Sequence, residues 1–228
     1  MNNNQSKQIL LSVIGVAILV VAVVGVSFAF FTYSRTGSQN NIITTGKITF
    51  VFQDGDTINL TNHFPITTAA GLALNGSGDK CTFSVTGNTT TGSTINFAVW
   101  AIEGDSAATL DLGDNYTTRF RNSEVFVNIQ ASTVTGASFT PAMNSTEGVA
   151  ISTLATTASN VGTVPTGGKL LGTGTISGTG SNVTQNFTVR MWVDSSVVTV
   201  GDGAGDTYDA DEYGTLYYTM KIVVTAQQ

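Results

Sequence analysis

Phe187-Thr188-Val189-Arg190-Met191-Trp192-Val193 decides the fold class of this chain. Phe187, Val189, Met191 and Val193 recur at every second position, and Thr188 and Arg190 fall between them. A period of two suits a strand with one face in a core and the other in water. The same alternation runs through Ile95–Ala101, Val125–Ile129 and Tyr218–Val224. Shorter apolar stretches at Ile48–Phe52, Thr57–Leu60, Thr82–Val85 and Leu170–Ile176 bring the expected strands to eight or nine. Breakers rich in Gly, Asn and Asp separate them, as in Asp54-Gly55-Asp56 and Asn75-Gly76-Ser77-Gly78-Asp79. With no long amphipathic helix between strands, the pattern predicts an all-β, antiparallel sandwich rather than a βαβ arrangement. Pro65–Leu74 and Glu147–Gly162 fit either a loop or a short helix. Trp100 and Trp192 fall out of phase with their strands' apolar sets. Two readings follow: a subunit contact or sugar platform, or a second layer covering that face.

Upstream lies a different texture. Ile9 to Phe31 is 23 residues without a charge, roughly 34 Å as a helix and therefore long enough to cross a bilayer core. Lys7 and the amino terminus give a thin cationic flank, which orients the remainder outward. Ser27 and Ala29 form a small-x-small pair, so cleavage after Ala29 by a signal peptidase is expected. Retention of residues 9–31 as a single-pass membrane anchor is the alternative. The expected organisation is a signal or anchor at 1–29, an extended segment at 30–47 and a β-sandwich at 48–228. The body is then extracellular or on the cell surface.

Composition narrows the partners. The chain has 15 acidic and 9 basic residues, a formal net charge of −6, and only 11% charged residues. No basic stripe exists to bind phosphates, so nucleic acid is not an expected partner. Cys81 is the single cysteine, which rules out an internal disulfide. Its phase with Phe83 and Val85 predicts a buried small hydrophobe.

The junction Ser27-Phe28-Ala29-Phe30-Phe31-Thr32 resembles the A-(Y/F)-F-(S/T) junction of the TasA/camelysin family of exported bacterial proteins. Asn40-Asn41-Ile42-Ile43-Thr44-Thr45-Gly46-Lys47-Ile48 is similar to the start of that family's first strand. Arg190–Asp194 and Leu216–Ala226 resemble, more loosely, its closing strands. The resemblance implies a jelly-roll-like sandwich, processing by a SipW-type peptidase and a role as a subunit of an extracellular matrix fibre. It also implies that the freed amino-terminal segment joins a neighbouring copy as a donor strand. On this chain Phe30, Phe31, Tyr33, Ile42 and Ile43 would carry that role. Main-chain pairing would supply the attachment and alternate side chains the fit. Head-to-tail contacts that do not close give a filament. Ser34–Asn41 is polar, which argues for a short donor.

Catalytic chemistry finds little purchase. His63 is the only histidine, so a zinc site of several imidazoles and a His-Glu-x-x-His motif are both missing. Gly162–Lys169 departs from a P-loop in spacing and places Leu170 where Ser or Thr would touch magnesium. Neither a nucleophile elbow nor a singled-out carboxylate pair occurs. The chain is therefore expected to be non-enzymatic and to need no cofactor. Its most acidic stretch, Gly201–Glu212, holds five of the 15 acidic residues in eleven positions. A solvated hairpin is the plainer reading. A calcium site through Asp202, Asp206, Asp209 and Asp211 is the sharper one, although the spacing is not that of an EF-hand.

Three functions fit this sequence. The leading one is a self-assembling structural subunit. A membrane-anchored surface module binding a glycan, a protein or calcium is the second. A pilin-like subunit retaining its apolar helix is the third, and it lacks the expected cleavage residues before Ile9.

Overall fold

The computed structural model describes residues 33–36, 41–45, 48–53, 59–61, 64–75, 80–105, 118–201, 206–209 and 213–227. All lie within one unit, Tyr33–Gln228. The chain runs β1 (Tyr33–Thr36), β2 (Asn41–Thr45), β3 (Ile48–Gln53), β4 (Asn59–Thr61), α1 (Thr68–Ala73), β5 (Lys80–Asn88) and β6 (Thr94–Glu103). It continues through β7 (Thr118–Arg119), β8 (Val125–Ala131), β9 (Ala137–Pro141), β10 (Val149–Ala150) and a 3-10 turn (Ile151–Thr153). β11 (Lys169–Ser177), β12 (Val183–Val193) and β13 (Leu216–Gln227) complete it. One sheet has the order β1-β13-β6-β11-β9, with β4 and β7 also paired to β13; the other has the order β10-β8-β12-β5-β3-β2. Among the described strands every ladder is antiparallel except the short β7–β13 pairing. This is the all-β, antiparallel architecture that the alternation predicts.

Alternation becomes burial. On β5, Cys81, Phe83 and Val85 face inward and on β12 Phe187, Val189, Met191 and Val193 do the same, as their phase requires. They share one core with Ile95, Phe97, Val99 and Ala101 of β6 and with Ile222 and Val224 of β13. Aromatic rings bind the two sheets together. Phe187 stacks on Phe83 at 4.9 Å within its own sheet, and meets Phe97 and Phe139 of the other sheet edge-on at 6.1 and 4.9 Å. Each such pair adds about 0.5–1.5 kcal/mol beyond its buried area. The glycines of β11 make room for them: a Cβ on Gly174 would lie 2.3 Å from the Phe97 ring, and one on Gly172 equally close to Phe139.

Both out-of-phase tryptophans are covered. Trp100, on the outward side of β6, packs with Ala98, Val161 and Val223 beneath Ala158 and Val164 of the 155–168 segment. Its indole nitrogen donates to Thr225 Oγ1 at 2.9 Å. Trp192 lies against Gly71 of α1 and Gly148 of the loop before β10. Of the two readings of these residues, the covering layer holds and the open platform does not. α1 begins where Thr67 Oγ1 accepts the Ala70 N–H, so the Pro65–Leu74 stretch resolves as a bridge from Ile66 to Asp194 followed by the short helix Thr68–Ala73. Glu147–Gly162 resolves as β10, the 3-10 turn and an irregular cover.

Candidate assembly edge and acidic segment

The candidate donor region splits between the two sheets. β1 pairs with the carboxy-terminal strand in the register Tyr33↔Ala226, Ser34↔Thr225, Arg35↔Val224 and Thr36↔Val223. β2 pairs instead with β3, placing Ile42 opposite Val51 and Ile43 opposite Phe50. β1 is thus at the end of one sheet and β2 at the end of the other. Only residues 37–40 connect them. Tyr33, Ile42 and Ile43 are placed here by backbone register. Phe30 and Phe31, the pair Ser27 and Ala29, and the rest of the 9–31 run lie outside the described residues. Among the described residues no helix is long and apolar enough to cross a membrane.

β13 is built to receive pairing along its whole length. Its residues Met220–Gln227 pair with β6, Tyr217–Thr219 pair with β4, and Val223–Ala226 pair with β1. The four-residue β1 contact is the small part of this. It is made by main-chain groups, which any extended segment carries.

The described ends of the acidic segment meet in an isolated parallel bridge, Val200↔Tyr208, which is not the antiparallel pairing of a hairpin, and aromatic residues root them in the body. Thr199 and Thr207 hold its base: the Thr207 N–H donates to the Thr199 carbonyl at 3.0 Å, and the Thr199 N–H donates to Thr207 Oγ1 at 3.1 Å. Tyr208 is buried and packs with Phe120 and Tyr213. Burial, with Tyr208 beside it, pushes the Tyr213 phenol well above its ordinary pKa. Asp206 and Asp209 are exposed, and the Asp209 carbonyl accepts the Tyr213 N–H at 2.9 Å. Asp202 and Asp211 lie outside the described residues. No three metal-ligating side chains converge among the described residues. His63 is also outside them.

Two carboxylates that the sequence reading passed over are buried. Glu124 accepts the Tyr208 hydroxyl at 2.7 Å and the Arg121 N–H at 2.9 Å, with the Arg121 guanidinium at 3.5 Å. Asp194, at 1% exposure, accepts from the Trp192 indole, the Thr68 hydroxyl, and the N–H and hydroxyl of Ser196. Burial pushes its pKa up, but those hydrogen bonds outweigh burial and hold the carboxyl below the usual aspartate range. The available signal was Asp194-Ser195-Ser196 directly after a strand, a composition that favours a side-chain-capped turn. Both carboxylates brace loops, and neither faces an open site.

No protein-family model, curated protein or solved structure matches the chain.

Proposed function

We propose that this chain is an exported structural subunit whose amino-terminal segment joins one copy to the next by strand addition. In this reading its two sheets form a jelly-roll-like β-sandwich. Residues 1–29 direct export and are removed by a signal peptidase, and the product is a head-to-tail homopolymer at the cell surface or in the matrix. It acts without a catalytic centre or an obligatory cofactor. The resemblance of Phe28–Ile48 to the TasA/camelysin family first suggests this reading.

The observation that carries it is the β1–β13 ladder. A short amino-terminal strand, four residues long, caps the end of a sheet by main-chain pairing. The residues that precede it are those freed by a cut after Ala29. A second copy can offer the same four residues to β13 in the same register, and the exchange conserves the backbone hydrogen bonds. Where such head-to-tail contacts do not close into a ring, they propagate as a filament.

Intact-mass measurement on native secreted and membrane fractions tests the first step. The expected mass begins at Phe30; one beginning at Met1, found in membranes only, overturns the donor-strand reading. Negative-stain microscopy of the secreted protein tests the second, with fibres expected. Persistent monomers at high concentration would count against assembly.

A further inference from the structure

A cleft of about 150 Å³ opens where the end of β6 and the start of β11 meet β13 and the 121–124 turn. Ala101, Ile102 and Ile151 supply apolar wall, and Tyr218 lines it beside them. Lys169, Glu103, Asn122 and Thr166 bring polar groups to the same space. At this size it is below the roughly 300–1,000 Å³ typical of drug-sized ligands, which limits the occupant to about one ring.

The polar groups are not used up by the fold. Lys169 is half-buried, and no described residue pairs with its ammonium group. This is notable in a chain with 15 acidic side chains and 9 basic ones. Glu103 is held at Oε1 by Arg119 Nε at 3.0 Å. That arginine is itself fixed: Nη2 donates to the Gly104 and Asp105 carbonyls at 3.0 and 2.9 Å, and its guanidinium lies over Tyr217 and Tyr218. Arg119 thus balances the Glu103 charge and steadies the carboxylate, whose second oxygen remains outside the ion pair. Asn122 Oδ1 accepts the Tyr218 hydroxyl at 2.7 Å, so among the described residues its Nδ2 donors have no partner.

Each ligand class meets this set differently. A phosphate dianion needs several cations, and the cleft has one, with a carboxylate beside it. A divalent cation needs several oxygens around it and faces an ammonium instead. A hydrocarbon leaves Lys169 and Asn122 unsatisfied in a half-buried place. What fits is a single negative charge for Lys169, hydroxyls to donate to Glu103 and accept from Asn122 and Thr166, and an apolar face for Tyr218 and Ile151.

We propose that this cleft binds one carboxylated sugar residue, of the hexuronate class, with its carboxylate on Lys169 and its hydroxyls on Glu103 and Asn122. The binding does not depend on assembly. Free hexuronate and the terminal residue of an acidic polysaccharide present the same chemistry.

Calorimetric titration of the full-length protein tests it, with glucuronate, glucose, acetate and an oligouronate as separate probes. Glucuronate is expected to bind at least about tenfold more tightly than glucose or acetate, since a charged hydrogen bond and the ring contacts are each lost in one of them. Lys169→Met keeps the aliphatic stem and is expected to weaken glucuronate about tenfold without altering glucose. Glu103→Gln is expected to weaken both sugars. Thermal melts establish that each variant is folded. A tighter oligouronate assigns the site to a polymer end, and a tighter monosaccharide assigns it to the free sugar. Equal binding of glucose and glucuronate, an unaffected Lys169→Met, or no glucuronate binding by the folded protein overturns the proposal.

Discussion

The Trp192 indole nitrogen donates to Asp194 Oδ2 at 2.9 Å, and the same oxygen accepts the Thr68 hydroxyl at 2.8 Å. One carboxylate therefore ties α1 to the outward side of the β12 end. Ser196 closes the arrangement by donating its N–H and hydroxyl to Oδ1. A tryptophan that breaks its strand's apolar phase is thereby given both a roof and a hydrogen-bond partner.

Asp194→Asn is expected to cost about 2 kcal/mol, the range for leaving buried donors unpaired. An amide nitrogen in place of Oδ2 cannot accept from both Trp192 and Thr68. Urea unfolding with an unchanged slope checks this. The pH dependence has a definite sign. Because the folded carboxyl titrates below its unfolded value of about 3.9, its contribution is complete above that pH and is lost as pH falls through the folded pKa. The gap between wild type and Asp194→Asn is expected to be full at pH 7 and to narrow in acid below about pH 4. A gap that widened in acid would contradict the assignment.

Gly71→Ala and Gly148→Ala are expected to destabilise by about 1–3 kcal/mol each, because a Cβ at either position would sit 2.2 Å from Trp192 ring atoms. Helix propensity alone predicts a gain of about 1 kcal/mol for Gly71→Ala. The sign of the measured change therefore separates crowding from propensity. Combining Gly71→Ala with Trp192→Phe in a double-mutant cycle is expected to give non-additivity, since the two residues touch.

Both tryptophans are essentially enclosed, Trp100 at 0% and Trp192 at 1% exposure. Blue-shifted emission and weak quenching by iodide or acrylamide are the expected signatures. Trp100→Phe is expected to cost about 1–3 kcal/mol, since it removes the donor to the buried Thr225 hydroxyl along with ring volume.

Alternation made β5, β6, β8, β12 and β13 legible, because strands with one buried face write their period into the chain. The short β7, β9 and β10 were not: Ala137–Pro141 alternates in burial, but five residues ending in Pro are too few to stand out as a strand, and its strand status comes from pairing with β11. Asn128 shows the limit more sharply. It occupies a polar position in Val125–Ile129, as a wet-face residue does, yet it is fully buried. Its amide nitrogen donates to the Asn144 and Glu147 carbonyls at 3.3 and 2.7 Å, fastening a loop laid over that face. Such covering loops are non-local, and period alone does not reveal them. The same reason hid the cleft at Lys169, whose lining residues are spread from Ala101 to Tyr218.

The strand-addition reading makes a final demand on β1. Successive N–H groups in a strand point to opposite sides, so within Ser34-Arg35 one of the two faces β13. Ser34→Pro combined with Arg35→Pro removes that donor whichever it is, and the rings oppose pairing at an edge. The β1 ladder covers four of the twelve β13 residues, so the body should lose only about 1–2 kcal/mol. For a domain of this size that is a fall in Tm of roughly 2–8 °C. Assembly should be lost outright, because the join between subunits consists of that ladder. Sedimentation and negative-stain microscopy of the secreted double variant, beside wild type, decide the matter. A folded variant that stays monomeric supports the donor role, and undiminished fibres would show that the copies are joined elsewhere.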